Sequence, residues 1–366
     1  MLRTTLAALG FAPSSADPSL FLRTDTILPP FYVRKYVDDL VFATADTEAL
    51  ALVKAELQKR QTCTDLGELH SYLGLHITWD RARRTITLTQ SQMVHQVLQS
   101  FGFQFSSPQP TPLSTGHSLS FPTLDESVEP SGPYPELVGC FMYLMTCTQP
   151  DVAYPLSLLA RYVAPGRHRK VHWDVAKRVL RYLCSTLGMG LVLGGQGLVV
   201  LIGHSDASWA DDQATQHSSQ GYTFSLGSGS FSWRSTRSSS VLSSSCEAEI
   251  YAGAMAAQEL RWLTYLLTYL LTDLGERPRS PLVLYVHNKE MLALCHEQRL
   301  EHITKHIALR YFLACELQQR RQLRLSYVAS RANIADVFTK ALGSGDHQRF
   351  CTALGLVPTL LHLLVA

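Results

Sequence analysis

The chain has 366 residues, of which 46% are hydrophobic and 17% are charged. At about 150 residues per domain this length predicts two or three domains, and the composition excludes an intrinsically disordered chain. With 32 Lys and Arg against 30 Asp and Glu, the net charge of +2 excludes a uniformly basic protein. Any nucleic-acid surface must therefore come from local clustering of charge.

No apolar segment reaches the roughly 18 residues of a membrane span. The longest, residues 354–366, is interrupted by Pro358 and His362. The eight cysteines form no CxxC pair, so neither a zinc site nor a disulfide framework is indicated, and we expect reduced thiols. We therefore expect an intracellular protein of the cytoplasm or nucleus that is not secreted and has no membrane partner.

The first half of the chain changes composition twice. Residues 1–105 alternate short apolar runs with polar helices, and residues 106–133 form a linker rich in Pro and Ser. Residues 134–197 are mainly helical by their apolar spacing. The helices of this segment are predicted over about 137–144, 152–162 and 171–187.

The second half predicts an α/β domain with a mixed sheet over residues 198–345, followed by a tail over 346–366. Its first strand covers 198–202 and ends near Asp206. The further strands are predicted at 221–226, 230–234, 282–286 and 323–328. The helices are predicted at 246–271, 289–296, 306–320 and 332–342.

Three acidic residues of this domain stand at positions suited to chemistry. Asp206 lies near the end of the first strand, Glu249 begins the apolar stripe of the long helix, and Asp336 opens the last helix. Each alone suits a helix cap or a solvated face, but an acid on a packed face needs a partner or a metal ion. Their joint occurrence on one frame favours a shared site.

Basic residues cluster between Arg161 and Arg181, interleaved with aromatic side chains and opposed by Asp174 alone. The cluster comprises Arg161, Arg167, Arg169, Lys170, Lys177, Arg178 and Arg181. It suits a phosphate-tracking, nucleic-acid-binding surface, or alternatively an ordinary solvated helix face.

An ordered set of motifs connects these features. They are Asp17-Pro18-Ser19-Leu20-Phe21, Tyr36-Val37-Asp38-Asp39-Leu40, Pro150-Asp151-Val152-Ala153-Tyr154, His204-Ser205-Asp206-Ala207-Ser208-Trp209, Ser245-Cys246-Glu247-Ala248-Glu249, Thr304-Lys305-His306-Ile307 and Ala335-Asp336-Val337-Phe338-Thr339-Lys340. Over about residues 5–355, the chain resembles the C-terminal part of the Pol polyprotein of copia-type long-terminal-repeat retrotransposons.

The resemblance implies a partial reverse-transcriptase palm over residues 1–105. Asp38 and Asp39 would be metal ligands of the polymerase hairpin, where two Mg²⁺ ions act. In the family another metal-binding Asp lies well upstream of this hairpin, which does not fit within the 35 residues before Tyr36. We therefore expect a truncated polymerase without DNA synthesis of its own, and a chain start that resembles an internal palm helix rather than a targeting peptide.

For residues 198–345, the resemblance implies a ribonuclease H-like domain in which four carboxylates hold two metal ions. Asp206, Glu249 and Asp336 match three of them, and His287 stands at the fourth, where an Asp is expected. Neutral imidazole is a poor ligand for Mg²⁺, although it accepts Mn²⁺. We expect a nuclease on RNA–DNA hybrids that this histidine impairs.

Two alternatives stay open. One is a non-catalytic remnant that binds hybrid or duplex nucleic acid, alongside other retroelement Pol products as partners. The other is an unfolded open-reading-frame relic. The predicted fold is α/β (α+β): a truncated palm, a helical thumb or connection segment over 134–197, and a ribonuclease H-like mixed sheet.

Overall fold

The computed structural model describes residues 2–23, 29–116, 133–196, 200–273, 282–297 and 312–359. The chain divides into two compact units, Met1–His70 with Leu260–Pro278, and Ser71–Glu259 with Arg279–Ala366. The mixture of helices and strands confirms the predicted α/β class. The Thr304–Ile307 motif, most of the predicted linker and the first residues of the 198–202 strand lie outside the described residues.

Helices and strands are numbered here in chain order. The strands are β1 (Phe11–Pro13), β2 (Leu20–Arg23), β3 (Phe31–Tyr36), β4 (Asp39–Thr44), β5 (Ser71–Tyr72), β6 (Leu75–Asp80), β7 (Thr85–Thr89), β8 (Met189–Gly194), β9 (Leu201–Ser208), β10 (His217–Leu226), β11 (Ser230–Val241), β12 (Leu282–Val286), β13 (Leu323–Tyr327) and β14 (Leu356–Pro358). The helices are α1 (Leu2–Ala8), α2 (Thr47–Arg60), α3 (Ser91–Ser100), α4 (Tyr134–Cys147), α5 (Ala153–Leu159), α6 (Lys170–Ser185), α7 (Ser245–Asp273), α8 (Lys289–Glu297), α9 (Leu313–Gln319) and α10 (Ser344–Ala353).

The first unit contains an antiparallel sheet of order β1-β2-β3-β4. Residues alternate between its two faces, which places Phe31 and Val33 of β3 in the core. Helix α2 begins where the side chain of Asp46 accepts a hydrogen bond from the backbone of Ala49 at 2.9 Å. Its residues Val53 and Leu57, one turn apart, are buried in the same core.

A second antiparallel sheet, of order β14-β8-β7-β6-β5, belongs to the second unit. Residues 71–105, which the sequence groups with the palm, therefore join this unit. Residues 344–358, predicted largely as a tail, form α10 and β14, and Leu356 pairs with Leu191 of β8. Both differences arise from pairing between strands far apart in sequence, which local composition does not encode.

Helices α3 to α6 surround one apolar core of the second unit. The amphipathic spacing of α6 places Val175, Val179 and Leu183 on its buried face. Tyr134 of α4 is also buried, and its hydroxyl donates to the carbonyl of Leu159 at 2.9 Å. Of these helices, α4 to α6 lie within the segment 134–197 that the sequence predicts to be mainly helical, whereas α3 precedes it.

The third sheet is the mixed sheet predicted for the second half of the chain. Its order is β11-β10-β9-β12-β13, with β12 parallel to β9 and β13 and the remaining pairs antiparallel. Strand β9 continues to Ser208, beyond the end predicted near Asp206, because Ser208 pairs with Ser219 of its antiparallel partner β10. Asp206 therefore lies within a paired strand.

The predicted helix over 332–342 is wrong. The chain instead forms two 3₁₀ turns, Ser330–Ala332 and Ile334–Phe338, separated by Asn333 in an extended conformation. The side chain of Asn333 accepts a hydrogen bond from the backbone of Ala335, which starts the second turn and prevents a continuous helix.

The expectation of reduced thiols throughout is also wrong, since Cys295 and Cys315 form a disulfide. These residues lie on α8 and α9, with Cα atoms 4.6 Å apart. The helices meet only in the folded chain, so cysteine spacing gave no sign of the pair. No helix in the described part of the chain has the length and apolar character needed to cross a bilayer.

Candidate functional site

The site is built around Asp206, whose side chain is fully buried. Asp206 pairs with Gly221 of β10, while two residues earlier His204 pairs with Tyr285 of the parallel strand β12. The center of the mixed sheet thus holds the carboxylate rigidly.

The turn that carries Asp336 is pulled against this sheet. The amide of Asn333 donates to the carbonyl of Ser205 at 3.0 Å. Gly221 permits the close approach, because a Cβ atom there would lie 2.4 Å from the Cβ of Phe338. Asp336 consequently lies beside Asp206 and is also buried.

Helix α7 supplies Glu249. The helix start is fixed by Glu247, whose carboxylate accepts hydrogen bonds from the backbone and hydroxyl of Ser243 at 2.6 and 2.7 Å. Glu249 lies on the packed face between buried Ala248 and Ile250. Its Oε2 atom is buried and has no hydrogen-bond partner within the described part of the chain.

Lys340 completes the charge arrangement. Its ammonium group lies 3.2 Å from Asp206 Oδ2 and 3.1 Å from Asp336 Oδ1. Burial lowers the pKa of Lys340, but the two carboxylates outweigh that effect and raise it overall. The hydroxyl of Thr339 donates to Asp206 as well.

Sequence reasoning assigned no role to Asn333, Thr339 or Lys340. The available signal was the spacing of four residues between Asp336 and Lys340, which brings an acid and a base together on a helical turn. That spacing is common on protein surfaces and does not single out a site.

His287 directly follows β12, and its Nδ1 atom lies 3.6 Å from Glu249 Oε1. The nearby carboxylate of Glu249 raises the pKa of His287. Burial raises the pKa of Glu249 to about 7, and burial together with the charge of Asp206 raises the pKa of Asp336 to about 6. The carboxylates therefore repel one another in a poorly solvated place.

The donor set fits one divalent cation better than two. Ligand atoms of Asp206, Glu249 and His287 all lie within 4.8 Å of one another, and the unpartnered Glu249 Oε2 offers a hard oxygen. The ammonium of Lys340, however, already contacts the two carboxylates of Asp206 and Asp336. A second ion between those acids would have to displace it.

The other predicted carboxylates lie in the first unit. Strands β3 and β4 form a hairpin in which Tyr36 pairs with Asp39, and Asp38 lies in the two-residue turn. Val37 in that turn has a φ of +50°, which β-branched residues rarely adopt. Asp38 and Asp39 are both exposed, and neither belongs to a group of three metal-ligating side chains among the described residues.

The basic residues divide into two groups. Arg161 forms a buried ion pair with Asp212 at 3.0 Å, and Arg178 donates to the backbone and side chain of Thr111. These two guanidinium groups hold the unit together. The second group consists of the remaining predicted residues, which are exposed or half-buried: Arg167, Arg169, Lys170, Lys177 and Arg181.

Comparisons with known proteins add to this geometry. The family model described as reverse transcriptase (RNA-dependent DNA polymerase) matches residues 1–115. The chain is 33% identical over 333 residues to the retrovirus-related Pol polyprotein from transposon TNT 1-94 of Nicotiana tabacum, covering 89% of this chain and 24% of that protein. It is 32% identical over 358 residues to the Pol polyprotein from transposon RE2 of Arabidopsis thaliana, covering 97% of this chain and 24% of that protein.

A shorter relative is matched over most of its own length. The putative transposon Ty5-1 protein of Saccharomyces cerevisiae is 30% identical over 260 residues, which cover 71% of this chain and 83% of that protein. The chain spans about a quarter of the length of the two plant Pol polyproteins.

Proposed function

The chain belongs to the family of copia-type retrotransposon Pol proteins, and on that basis we propose that residues 200–340 act on RNA–DNA hybrids as a ribonuclease H-like unit with a weakened metal site. The observation that carries this proposal is the convergence of three buried carboxylates. Asp206 comes from β9, Glu249 from α7 and Asp336 from the turn after β13.

The cluster supports a role in metal binding because buried acids must either be neutralised by protonation or have a partner cation. When bound there, Mg²⁺ or Mn²⁺ would act as a Lewis acid on a phosphodiester. Asp206 is held in place by Thr339, and Glu249 presents the unpartnered oxygen. These two residues are the proposed ligands.

His287 and Lys340 both weaken the site. His287 places an imidazole next to Glu249 where the family resemblance implies a carboxylate. Lys340 contributes a positive charge that competes with a cation for Asp206 and Asp336. Imidazole accepts Mn²⁺ more readily than Mg²⁺, so we expect any cleavage to prefer Mn²⁺.

A second candidate function is hybrid binding without cleavage. It is favoured by Lys340, because an internal ammonium satisfies the acids without a metal ion. The exposed side chains of Arg167, Lys170 and Arg181 would then contact phosphates, which makes binding strongly dependent on salt.

The test is cleavage of a labelled RNA–DNA hybrid by the full chain in Mg²⁺ and in Mn²⁺, with binding measured separately by fluorescence anisotropy. His287→Asp restores a carboxylate, and His287→Asn is its matched control without the charge. Asp206→Asn removes a proposed ligand. We expect His287→Asp to cut at least about tenfold faster in Mg²⁺ than the unaltered chain. About tenfold is the lower limit of the change in activity that substitutions around a metal site typically cause.

The outcomes separate the two functions. Faster cleavage by His287→Asp but not by His287→Asn supports the weakened nuclease. Binding by every variant with no cleavage by any supports the second candidate. Failure of the unaltered chain to bind the hybrid contradicts both.

For the first unit, we propose Asp38 and Asp39 as metal ligands of a polymerase hairpin, supported by their place at the β3–β4 turn. Because no third ligand joins them among the residues described, we expect no primer extension on an RNA template by this chain alone. Incorporation above that of the double variant Asp38→Asn/Asp39→Asn would contradict this expectation.

A further inference from the structure

A second cluster of metal-ligating side chains lies in the second unit and shares no residue with the Asp206 site. It consists of Asp151, His347 and Cys351, which are 2%, 4% and 5% exposed. One ligand atom from each lies within 4.8 Å of the other two. Nothing in the proposed nuclease chemistry uses these residues.

The cluster is assembled from two elements. Asp151 belongs to the 3₁₀ turn Pro150–Val152, and His347 and Cys351 lie one turn apart on α10, so their side chains share a face. His347 Nδ1 is 3.5 Å from Cys351 Sγ. Two ligands of a tetrahedral zinc ion, with Zn–S of about 2.3 Å and Zn–N of about 2.05 Å, would be about 3.6 Å apart.

Asp151 Oδ1 is buried without a hydrogen-bond partner in the described part of the chain and is available as a ligand; His347 Nε2 is buried without such a partner as well, but the nitrogen that faces Cys351 is Nδ1. A buried polar atom without a partner lowers the free energy of unfolding by about 1–3 kcal/mol unless a hydrogen bond or a bound ion satisfies it. Asp151 also forms no ion pair within the residues described, although its carboxylate is buried in the protein interior. The cluster therefore has unused coordinating capacity and lacks a positive charge.

The neighbouring residue Tyr182 gives the cluster the support that metal ligands usually have. Its hydroxyl donates to the other oxygen of Asp151, Oδ2, and lies 3.9 Å from Cys351 Sγ. A hydrogen bond of this kind orients a ligating carboxylate and leaves its second oxygen free for the ion. His347 also packs edge-on against the ring of Tyr182 at 5.3 Å between centroids.

We propose that Asp151, His347 and Cys351 bind a zinc ion that joins α10 to the turn before α5. The sulfur and nitrogen donors favour zinc over the hard magnesium ion expected at Asp206. Binding releases the thiol proton of Cys351 to solvent, and the ion enters while the chain folds because the ligands are buried in the folded state. The ion would link two elements of the fold, with its fourth coordination position left to a water molecule.

The site does not have the CxxC spacing that is typical of zinc proteins. Its signal is a histidine and a cysteine four residues apart on a helix, with the third ligand almost 200 positions earlier in the chain. A pattern of two ligands at this spacing is ordinary in zinc proteins, but on its own it is too common to identify a site.

The experiment uses the full chain, refolded with Co²⁺ as a spectroscopic probe and then with Zn²⁺. Co²⁺ bound to a thiolate gives a charge-transfer absorption in the near ultraviolet, which Mg²⁺-type sites of oxygen ligands do not give. Cys351→Ser is the test variant. Cys184→Ser, a partly buried cysteine on the helix of Tyr182, is its matched control, and Asp206→Asn removes the other proposed metal site.

We expect one equivalent of Co²⁺ with the thiolate band in the unaltered chain, in Cys184→Ser and in Asp206→Asn, and loss of the band in Cys351→Ser. Zn²⁺ should displace Co²⁺ and raise the melting temperature of the unaltered chain. Absence of the band from the refolded unaltered chain overturns the proposal, and so does its persistence in Cys351→Ser. If Cys351→Ser does not fold, His347→Gln replaces it as the test variant, and loss of the band is again the expected result. The zinc content of the unaltered chain is measured by mass spectrometry.

Discussion

Lys340→Met removes an ammonium group that contacts two buried acids. At 3.1 and 3.2 Å, each attraction is about 5 kcal/mol with an effective dielectric constant of 20. Part of that attraction is offset by the desolvation of the charges, and removing one partner of a buried pair typically costs about 3–5 kcal/mol. The Lys340 side chain is 32% exposed and therefore screened by solvent, so we expect Lys340→Met to lower the free energy of unfolding by about 3 kcal/mol at neutral pH.

The loss should depend on pH in a defined direction. The pKa of Asp336 is already raised to about 6, and Lys340 is among the groups that lower it. Without Lys340 the pKa rises further, so the ionised acid destabilises the folded state more. The loss is therefore full at pH values above the further raised pKa of the variant and fades as the pH falls below about 6, where Asp336 is protonated in the folded state of both proteins.

The assay is urea denaturation of the full chain and of Lys340→Met at pH 5 and pH 8, each with and without Mg²⁺. Lys170→Met is the control, since Lys170 pairs with Asp174 on the surface and should contribute less than about 1 kcal/mol. Removal of the ammonium also frees Asp206 and Asp336 for a cation, so Mg²⁺ should stabilise Lys340→Met more than the unaltered chain. The reasoning is refuted if Lys340→Met loses no more stability than Lys170→Met, or if Mg²⁺ stabilises both proteins equally.

Three further substitutions test other parts of the second unit, each by denaturant unfolding. Burial raises the pKa of Glu249 from 4.5 to about 7, so Glu249→Gln removes an acid that destabilises the fold when it is ionised. The variant should therefore be more stable by up to about 3 kcal/mol at pH 8 and by little at pH 4.5. An equal effect at both pH values would contradict this. Arg161→Met should lower the free energy of unfolding by about 2–3 kcal/mol, because it breaks the ion pair with Asp212, whose remaining ion pair among the described residues is the longer contact to Arg237; a loss below about 1 kcal/mol would show that the pair is not structural. Phe338→Ala should cost about 3–5 kcal/mol, because the ring is fully buried where the Asp336 turn meets the sheet; a near-neutral result would mean that the turn does not pack as described.

Local patterns predicted the strands of the mixed sheet well. The apolar run 282–286 is β12 without change, and the two strands joined at Gly227–Gly229 form the β10–β11 hairpin. Both signals are short-range, because alternation of side chains and turn residues are properties of neighbouring positions.

The segment after β13 shows where local reasoning ends. Residues 332–342 have an acceptable helical composition, but Asn333 places its amide on the carbonyl of Ser205, more than 120 residues earlier. That tertiary hydrogen bond, together with the capping of Ala335, outweighs helix propensity. The Cys295–Cys315 disulfide escaped prediction for the same reason, since it depends on how two helices meet.

The carboxylates of the site were predictable, and the charge that balances them was not. An acid inside an apolar stripe is unusual enough to notice in a sequence, as with Glu249. Lys340 follows Asp336 by four positions, as many surface lysines follow acids, and only the fold brings it to Asp206 as well. Sequence patterns therefore identify buried charges that destabilise the fold more readily than the partner charges that compensate for them.

The same balance explains how this unit keeps its fold with a histidine in the site. A ribonuclease H-like center of four carboxylates would need cations to offset the repulsion among its acids. Under the proposed assignment, His287 stands in place of one of those acids with its Nδ1 atom 3.6 Å from Glu249 Oε1, while Lys340 contacts Asp206 and Asp336. Both residues reduce the negative charge, so they lower the affinity for divalent ions and stabilise the fold without them. Restoring the acid at position 287 should therefore increase metal binding at the expense of stability in metal-free buffer.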